Sequence, residues 1–257
     1  LGSQTDGRKY GDSQYCHLFG EYAVRNDLVA TLHHEPGRAM FVDWAGDTLR
    51  LADAVTGEVT KAYLFVAVLP FSSMVFCRGF TTMGMDTWIA GHVGAFTAFG
   101  GVTQLVVPDN ALTATHRKTR GEPARFVTDR YRQMADHYGT AIVPTRVRRP
   151  RDKASVESGV NTVNKRVIGY LAEEVWTTLA ELNEAIDERV REINHDIRRA
   201  DGSTRFERFT EEEAPVLIAL PDEAFQHVEW KQAKVGRNYH LTVDYQHYSV
   251  PFKLAGQ

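Results

Sequence analysis

Residues 62–69, with the sequence AYLFVAVL, are apolar at almost every position. A strand with one face in water alternates apolar and polar residues, so this run predicts a strand that is covered on both faces. Residues 40–54 before it have the pattern of one long or bulged strand, and residues 74–80 after it have the pattern of a third. Short turns at 56–57 and 70–73 join the three, which predicts an antiparallel meander buried beneath other elements.

Helix and strand patterns alternate after the meander. A helix is predicted at 86–99, a strand at 103–107 and a polar, basic loop at 111–125. Beyond the loop the patterns predict a helix at 126–138, a strand at 140–144, a helix that contains Glu157 and a covering helix with the apolar stripe Leu179, Leu182, Ile186, Val190, Ile193 and Ile197. This order predicts an α/β fold in which helices flank a mixed five-stranded sheet.

Changes of pattern also divide the chain into parts. The predicted parts are a linker and helix that enters from a missing region at 1–37, a core at 38–200, a helical connector at 201–227 and the start of a truncated small β-barrel at 228–257. Within the connector, Thr210 and Glu213 have the spacing of a capping box that opens a short helix. The chain is therefore expected to be a piece of a longer protein.

Composition and missing motifs exclude several classes of protein. No apolar run is long enough to cross a bilayer and the N-terminus lacks a signal-peptide pattern, so we expect a cytoplasmic protein with no membrane partner. Only Cys16 and Cys77 occur, which excludes a disulfide framework and a Cys-rich zinc site. A Walker A loop, a Gly-rich dinucleotide fingerprint, a G-x-S-x-G elbow and an H-E-x-x-H pair are all absent. His92 and His137 fall on predicted helices, where satisfied, partly buried histidines are expected.

Three acidic residues stand where they could converge. Asp43 lies in the apolar run AMFVDWAG, Asp109 ends the run TQLVVPDN, and Glu157 lies in the helical pattern KASVESGVNTVNKRV. A charge on a buried strand is costly unless metal or hydrogen bonds compensate it, although a solvent-facing Asp on an edge strand is the simpler alternative. Carboxylates at the carboxyl ends of strands are common ligands in α/β folds. Hard oxygen donors without His or Cys favour Mg²⁺ or Mn²⁺, as two ions about 3.5–4 Å apart.

Charge is distributed unevenly along the chain. Residues 108–170 carry 13 Lys and Arg against 6 Asp and Glu, whereas residues 171–230 carry 6 against 16. Asp109 and Glu157 flank the basic part, so it predicts a surface for DNA phosphates, with a solvated loop as the alternative. The residues of this surface that we expect to bind nucleic acid are Arg146, Arg148, Arg149, Arg151 and Lys153.

Together, the strings FVDWAG, VPDNALTA and HYGTAIVPTRVRRPRDKASVESGVNTVNKRVIGYL resemble the catalytic core of DDE transposases and retroviral-type integrases, and among them the IstA-type transposases of insertion sequences. The resemblance implies an RNase H-like fold and metal-dependent DNA cleavage and joining, in which water and then the freed 3′-OH attack phosphodiesters. It assigns Asp43, Asp109 and Glu157 as catalytic metal ligands. The basic insertion at 113–125 makes the interval between the last two longer than in retroviral integrases.

Further residues and partners are implied by the same resemblance. Asn161 and Lys165 follow Glu157 at i+4 and i+8, which places them on one helix face. Lys165 and Arg166 are expected to contact phosphates of the transposon ends. The implied partners are DNA, as transposon ends and target, an AAA+ helper ATPase and further copies of the chain in the active complex. A site-specific helix-turn-helix region is expected in the missing N-terminal part.

Two other functions remain open at this stage. A structure-specific nuclease or an RNase H could share the three acids on the same fold. A nonenzymatic DNA-binding or assembly protein derived from a transposase could keep the acids for structure alone. The basic approach to Glu157 and the β module at the C-terminus favour transposition over the nuclease or RNase H, whereas metal-dependent hydrolysis of DNA would separate an enzyme from the nonenzymatic protein.

Overall fold

The computed structural model describes residues 34–108, 115–116, 126–143, 161–226, 235, 238–243, 246–251 and 253. The predicted linker and helix at 1–37 lie almost wholly outside these residues, and most of the predicted loop at 111–125 does too. Asp109, Glu157 and the basic residues of 144–153 also lie outside them.

Nine strands and five helices are described, and apart from β5 and β6, which were not predicted, they follow one another in the predicted order. The strands are β1 (Ala39–Ala52), β2 (Val59–Val68), β3 (Val75–Phe80), β4 (Leu105–Pro108), β5 (Thr115–His116), β6 (Phe126–Val127), β7 (Ala141–Ile142), β8 (His240–Val243) and β9 (Gln246–Ser249). The helices are α1 (Met85–Phe99), α2 (Asp129–Tyr138), α3 (161–171), α4 (Leu179–His195) and α5 (Arg205–Arg208). The middle of α3, Asn164–Ile168, is π-helical, and α5 is followed by a π-helical turn, Phe209–Glu213, and a 3-10 turn, Ala214–Val216.

One mixed sheet of five strands, in the order β3-β2-β1-β4-β7, confirms the predicted sheet. β3, β2 and β1 pair antiparallel, and β1, β4 and β7 pair parallel. The register of β1 against β2 shifts between Trp44 and Thr48, so the strand is bulged, as its sequence indicated. β1 is a central strand as far as Val42, which pairs with the last residue of β4, Pro108.

Two apolar layers cover the sheet, one on each face. β2 supplies both, because Phe65 and Ala67 belong to one cluster while Leu64 and Val66 belong to the other. The first cluster contains Trp88 and Phe96 of α1 and Tyr131, Met134 and Tyr138 of α2. The second contains Val163, Val167 and Leu171 of α3 and Leu182, Ile186 and Ile193 of α4. The burial of residues 62–69 on both faces is thereby confirmed.

Two local predictions are wrong. The helix predicted from 126 begins at Asp129, because Phe126–Val127 pair as a strand with Thr115–His116. The capping box is formed by Thr204 and Glu207, six residues earlier than predicted: Glu207 N–H donates to the Thr204 hydroxyl at 3.1 Å, and Thr204 N–H donates to the Glu207 carboxylate at 2.7 Å. Both Thr204 and Thr210 begin a T-x-x-E sequence, but the Glu213 carboxylate binds backbone N–H groups in other parts of the chain.

The Glu213 carboxylate is buried and joins three distant parts of the chain. It accepts hydrogen bonds from Gly37 N–H, just before β1, and from Ser72 N–H, in the turn between β2 and β3, each at 3.2 Å. Nearby, Val102 and Ile218 exchange backbone hydrogen bonds of 2.8 Å. The segment after α4 is thus attached to the sheet by both polar and backbone contacts.

A hairpin of β8 and β9 is the described portion of the C-terminal β module. Both strands lie within residues 228–257, where the start of a small β-barrel is predicted. None of the helices in the described part of the chain combines the length and the apolar character that a membrane crossing requires.

Candidate functional site

Asp43 lies on β1 in the middle of the sheet. Its Cα is opposite Val66 of β2, and its predecessor, Val42, pairs with Pro108 of β4. The residue is half-buried, and its Oδ1 accepts the Trp44 N–H at 2.9 Å. The strand that carries Asp43 is therefore not an edge strand, and its side chain is only partly exposed.

The face of the sheet to which Asp43 belongs follows from its neighbours. Directly paired residues share a face, and Val66 belongs to the cluster that α3 and α4 cover, as does Ala45 two positions along β1. Val42 belongs to the cluster on the opposite face. Asp43 is thus on the face that is packed by α3.

Trp44 holds the opposite face of β1 at this point. Its ring lies 5.7 Å from the Phe65 and Trp88 rings and 6.0 Å from the Phe80 ring, between ring centroids. These edge-on and tilted aromatic contacts give β1 a rigid apolar support directly beside Asp43.

β4 ends next to Asp43. Four pairs, from Ala39 with Leu105 to Val42 with Pro108, align β1 and β4 in parallel. The next residue of each strand in the sequence is Asp43 on one and Asp109 on the other. The chain thus leaves β4 at the register position of Asp43.

Helix α3 carries the polar residues that the family resemblance implied. Asn161, Lys165 and Arg166 are exposed, whereas Val163 and Val167 are buried in the layer against the sheet. The π-helical turn within it, with the Gly169 N–H bonded to the Asn164 carbonyl, was not predicted. Such turns insert a residue into a helix and are frequent at functional sites.

The other predicted site residues are not among those described. Asp109, Glu157, Arg146, Arg148, Arg149, Arg151 and Lys153 all lie outside the described ranges. Within 34–108, 126–143, 161–226 and the shorter described stretches, no group of three His, Cys, Asp or Glu side chains could hold a metal ion. Of the predicted ligands, the structure therefore describes Asp43 alone.

His92 is a core histidine, as predicted. It is fully buried on α1, where its Nδ1–H donates to the Trp88 carbonyl at 2.7 Å and its Nε2 accepts the Tyr131 O–H at 2.8 Å. Burial lowers the pKa of His92 to about 4, which keeps the ring neutral near pH 7. His137 bonds the Glu223 carbonyl at 2.9 Å through Nε2. Neither ring is placed as part of a site.

Cys77 is also a core residue. It is fully buried in the layer under α4, and burial raises the pKa of its thiol above the ordinary value. A thiol in that environment is a small apolar side chain rather than a nucleophile.

Two arginines on the α4 side of the sheet were missed by the sequence analysis. Arg199 donates to the Ser72 carbonyl at 2.7 Å, and Arg205 donates to the Ile193 carbonyl at 3.0 Å, near the end of α4. Averaging charge over 171–230 hid them, because that stretch is acidic overall. The signal that could have found them is the local run RRADGSTRFER, at 198–208, which is basic within an acidic region.

Comparison with protein families matches two parts of the chain. Residues 33–150 match the integrase core domain, and residues 220–257 match the Mu transposase C-terminal domain. The first range contains Asp43 and Asp109, and the second contains the β8–β9 hairpin.

Relatives match nearly the whole chain. A Sinorhizobium fredii protein named as transposase y4uI is 40% identical over 99% of this chain and 49% of its own length. A Burkholderia multivorans protein named as a transposase for the insertion sequence IS408 is 35% identical over 97% of this chain and 48% of its own length. The chain spans about half the length of the curated relatives it matches.

Solved structures share the fold. A chain in the cryoEM structure of a simian T-cell lymphotropic virus intasome, in complex with the PP2A regulatory subunit B56 gamma, superposes with a TM-score of 0.53 at 13% identity. The match covers 87% of this chain and 79% of that chain. Together with the mixed five-stranded sheet and the matched core domain, it confirms the RNase H-like fold.

Proposed function

The chain belongs to the family of insertion-sequence transposases that carry an integrase core domain, and on that premise we propose that it is the catalytic core of a DNA transposase. The proposed activity is metal-dependent cleavage of DNA strands and their joining to new phosphodiesters. Water attacks in the first step and the freed 3′-OH in the second. Asp43, Asp109 and Glu157 are the proposed catalytic residues.

The observation that carries the proposal is the register of β1 and β4. Val42 and Pro108 are paired, and an acidic residue follows each of them in the sequence. Adjacent Cα atoms are about 3.8 Å apart and neighbouring strands about 4.8 Å apart, so a carboxylate one residue beyond Pro108 is within reach of Asp43. Two acids at one point of a central strand pair have little structural use, because like charges repel there.

The position of helix α3 favours Glu157 as the third acidic ligand. α3 packs on the same face of the sheet as Asp43, and Glu157 precedes Asn161 by four residues, the spacing of one helical turn. A helix that continued α3 towards its N-terminus would carry Glu157 on the exposed face of Asn161 and Lys165. We propose that this helix supplies the third carboxylate.

These residues fit a divalent metal by the chemistry of their donors. All three proposed ligands are carboxylates, which suit Mg²⁺ or Mn²⁺ better than zinc. The Trp44 N–H holds one oxygen of Asp43, and the aromatic contacts of Trp44 fix the strand behind it. When bound, two such ions supply activation of the attacking oxygen and stabilisation of the leaving oxygen.

DNA is the proposed substrate, held mainly through its phosphates. Lys165 and Arg166 are exposed on α3, and the basic residues of 146–153 precede the proposed third ligand. Phosphate contacts of this kind position the duplex without reading its sequence. We also propose that the activity involves recognition of the transposon ends, an AAA+ helper ATPase and the assembly of several copies.

The test compares Asp43→Asn with Asp47→Asn. Asp47 lies on the same strand within the bulged segment and is exposed, so it is a matched control. The full-length protein is assayed for cleavage and strand transfer on the ends of its own element, with Mg²⁺ or Mn²⁺ and the helper ATPase. We expect Asp43→Asn, Asp109→Asn and Glu157→Gln each to abolish both steps and Asp47→Asn to retain them.

Three other outcomes would contradict parts of the proposal. Activity that survives Asp109→Asn and Glu157→Gln would contradict the proposal of a shared metal site. Cleavage without any joined product would identify a nuclease on the same fold. Binding of DNA with no cleavage under any metal would identify a protein that assembles on DNA without catalysis.

A further inference from the structure

The backbone of Trp44 is bonded directly to the carboxylate of Asp43. The Trp44 N–H donates to Asp43 Oδ1 at 2.9 Å. A peptide unit is planar, so the direction of this N–H is set by the plane of the peptide that joins the two residues. Rotation of that plane about the N–Cα bond of Trp44 would carry the carboxylate with it.

The strand pairing that normally holds such a peptide ends close to it on both sides. Among the described residues, the pairing of β1 with β4 stops at Val42, one residue before Asp43. The pairing with β2 is regular up to Trp44 and shifts before Thr48. Hydrogen bonding between strands is disrupted at a bulge, so the peptide at 43–44 depends on side-chain contacts more than one in the middle of a regular strand does.

The Trp44 side chain supplies these contacts from three different elements. Its ring lies 5.7 Å from the rings of Phe65 on β2 and Trp88 on α1, and 6.0 Å from the ring of Phe80 at the end of β3, between centroids. Trp44 itself is half-buried, whereas Phe65 and Trp88 are fully buried. A ring held on three sides fixes the Cα–Cβ bond of its residue and thereby restricts rotation of the adjoining peptide plane.

The rings that contact Trp44 are themselves held in place. The Trp88 ring lies 5.2 Å from the Phe65 ring and 6.1 Å from the Tyr131 ring of α2, between centroids. A Cβ on Gly91 would lie 2.5 Å from Cγ of Phe65, so the backbone of α1 packs directly against that ring. Interiors packed in this way transmit a displacement instead of absorbing it. The layer under α1 and α2 therefore supports β1 from the face opposite Asp43.

We propose that Trp44 is a positioning residue for the metal site: its ring fixes the peptide between residues 43 and 44, and thereby the orientation of the Asp43 carboxylate. This inference rests on the proposed function, because it requires Asp43 to be a metal ligand. Groups that bond a ligating carboxylate tune the affinity for the metal, and their loss typically costs about 10–100-fold.

The experiment titrates Mn²⁺, as the probe, into the full-length protein bound to pre-cleaved DNA of its own element's end. The electron paramagnetic resonance signal of the free ion gives the amount bound. Asp43→Asn supplies the background from other sites, and the difference from it is the binding that depends on Asp43. The variants are Trp44→Ala, Trp44→Phe and Phe80→Ala, and urea unfolding gives the stability of each.

Phe96→Leu is the matched control. Phe96 is fully buried in the same apolar layer, where its ring lies 6.3 Å from the His92 ring and 4.8 Å from the Tyr138 ring, between centroids. The control therefore destabilises that layer through rings other than those that contact Trp44. It separates loss of stability from loss of positioning.

We expect Trp44→Ala to weaken the Mn²⁺ binding that depends on Asp43 by about tenfold or more. Trp44→Phe keeps an aromatic ring at the same position and should recover most of the affinity. Phe80→Ala removes one of the three supports and should weaken binding less than Trp44→Ala does. Phe96→Leu should lower the free energy of unfolding and leave the affinity for Mn²⁺ unchanged.

A double variant tests whether Phe80 acts through Trp44. Residues that act through one shared contact have non-additive effects. Trp44→Ala combined with Phe80→Ala should therefore have the Mn²⁺ affinity of Trp44→Ala alone. Fully additive losses would contradict this route.

Other results would overturn the inference. Unchanged Mn²⁺ affinity in folded Trp44→Ala would show that the ring does not position Asp43, and the proposed function would stand. Equal losses in Trp44→Ala and Phe96→Leu would show that affinity follows overall stability. If Trp44→Ala does not fold, the half-buried Phe80 provides the same comparison through Phe80→Ala. An unaltered protein whose Mn²⁺ binding equals that of Asp43→Asn would contradict the proposed function as well.

Discussion

Burial shifts the pKa values of two buried side chains, His92 and Glu213, in opposite directions. His92 is neutral in the apolar layer under α1, and its two ring nitrogens are both bonded. Glu213 is buried with two backbone N–H donors, yet burial still raises its pKa. Lowering the pH should therefore destabilise the folded chain through His92 and stabilise it through Glu213, so the two effects can be measured separately.

For His92, we expect stability to fall as the pH is lowered from about 6.5 to about 4. The pKa of about 4 in the folded chain lies below the ordinary 6.5, so the unfolded chain binds a proton first and the folded chain loses stability. A shift of this size corresponds to about 3 kcal/mol. Urea unfolding across this range should show the loss in the unaltered chain and not in His92→Phe. An equal slope in both would contradict the assignment.

For Glu213, we expect its contribution to stability to fall as the pH is raised. Its pKa in the folded chain is raised above the ordinary value of 4.5, so its contribution to stability is complete below pH 4.5 and declines as the pH rises through the folded value. Glu213→Gln removes this dependence but leaves one backbone N–H facing an amide N–H, at a cost of about 1–3 kcal/mol. The difference in unfolding free energy between the two chains, measured from pH 4 to 8, should shrink as the pH rises. A constant difference would contradict this.

At the scale of helices and strands, close packing rather than helix propensity decides which glycines can be replaced by alanine. A Cβ on Gly91 of α1 would lie 2.5 Å from Cγ of Phe65, in the centre of the sheet. A Cβ on Gly169 of α3 would lie 3.5 Å from the Asn164 carbonyl oxygen, an ordinary contact. Replacement of glycine by alanine should therefore lower the free energy of unfolding at Gly91 and raise it at Gly169.

We expect Gly91→Ala to destabilise the chain by about 1–3 kcal/mol, because Phe65 has no space to move within a filled core. Gly169→Ala should stabilise it by about 0.5–1 kcal/mol, because alanine loses less conformational freedom in a helix. Thermal unfolding of both variants is the measurement. Stabilisation by Gly91→Ala would mean that α1 lies farther from the sheet than described.

At the scale of the whole molecule, the segment after α4 packs into the core. Phe209 is buried in the layer with Phe99, at 6.2 Å between ring centroids, whereas Phe206 three residues earlier is exposed and lies beside His195. The boundary at residue 200 remains a prediction, but contacts of this kind join 201–218 to the sheet.

Phe209→Ala should therefore cost about 3–5 kcal/mol, as for a phenylalanine removed from a filled core. Phe206→Ala serves as the matched control and should cost well under half of that, because its ring is partly in water. Urea unfolding measures both. Equal small losses would show that this segment is an appendage rather than part of the core.

Periodicity predicted the sheet because residues 62–69 leave few other arrangements, and it predicted α1 and α4 because each has one apolar stripe. It misplaced the capping box, since Thr204 and Thr210 have the same local spacing and only tertiary contacts of Glu213 distinguish them. The position of Asp43 on a central strand needed the register with β4, and the layer that α3 and α4 form over one face of the sheet needed their packing in the folded chain. Local sequence contains neither of these.

The bulge in β1 after Trp44 divides that strand into two halves with different constraints. The first half, with Asp43 at its end, is locked to β4 and β2, whereas the register of the second half depends on the 53–58 turn. An insertion or deletion in that turn can therefore be absorbed at the bulge before it reaches Asp43. The bulge therefore separates Asp43 from changes in the length of the hairpin.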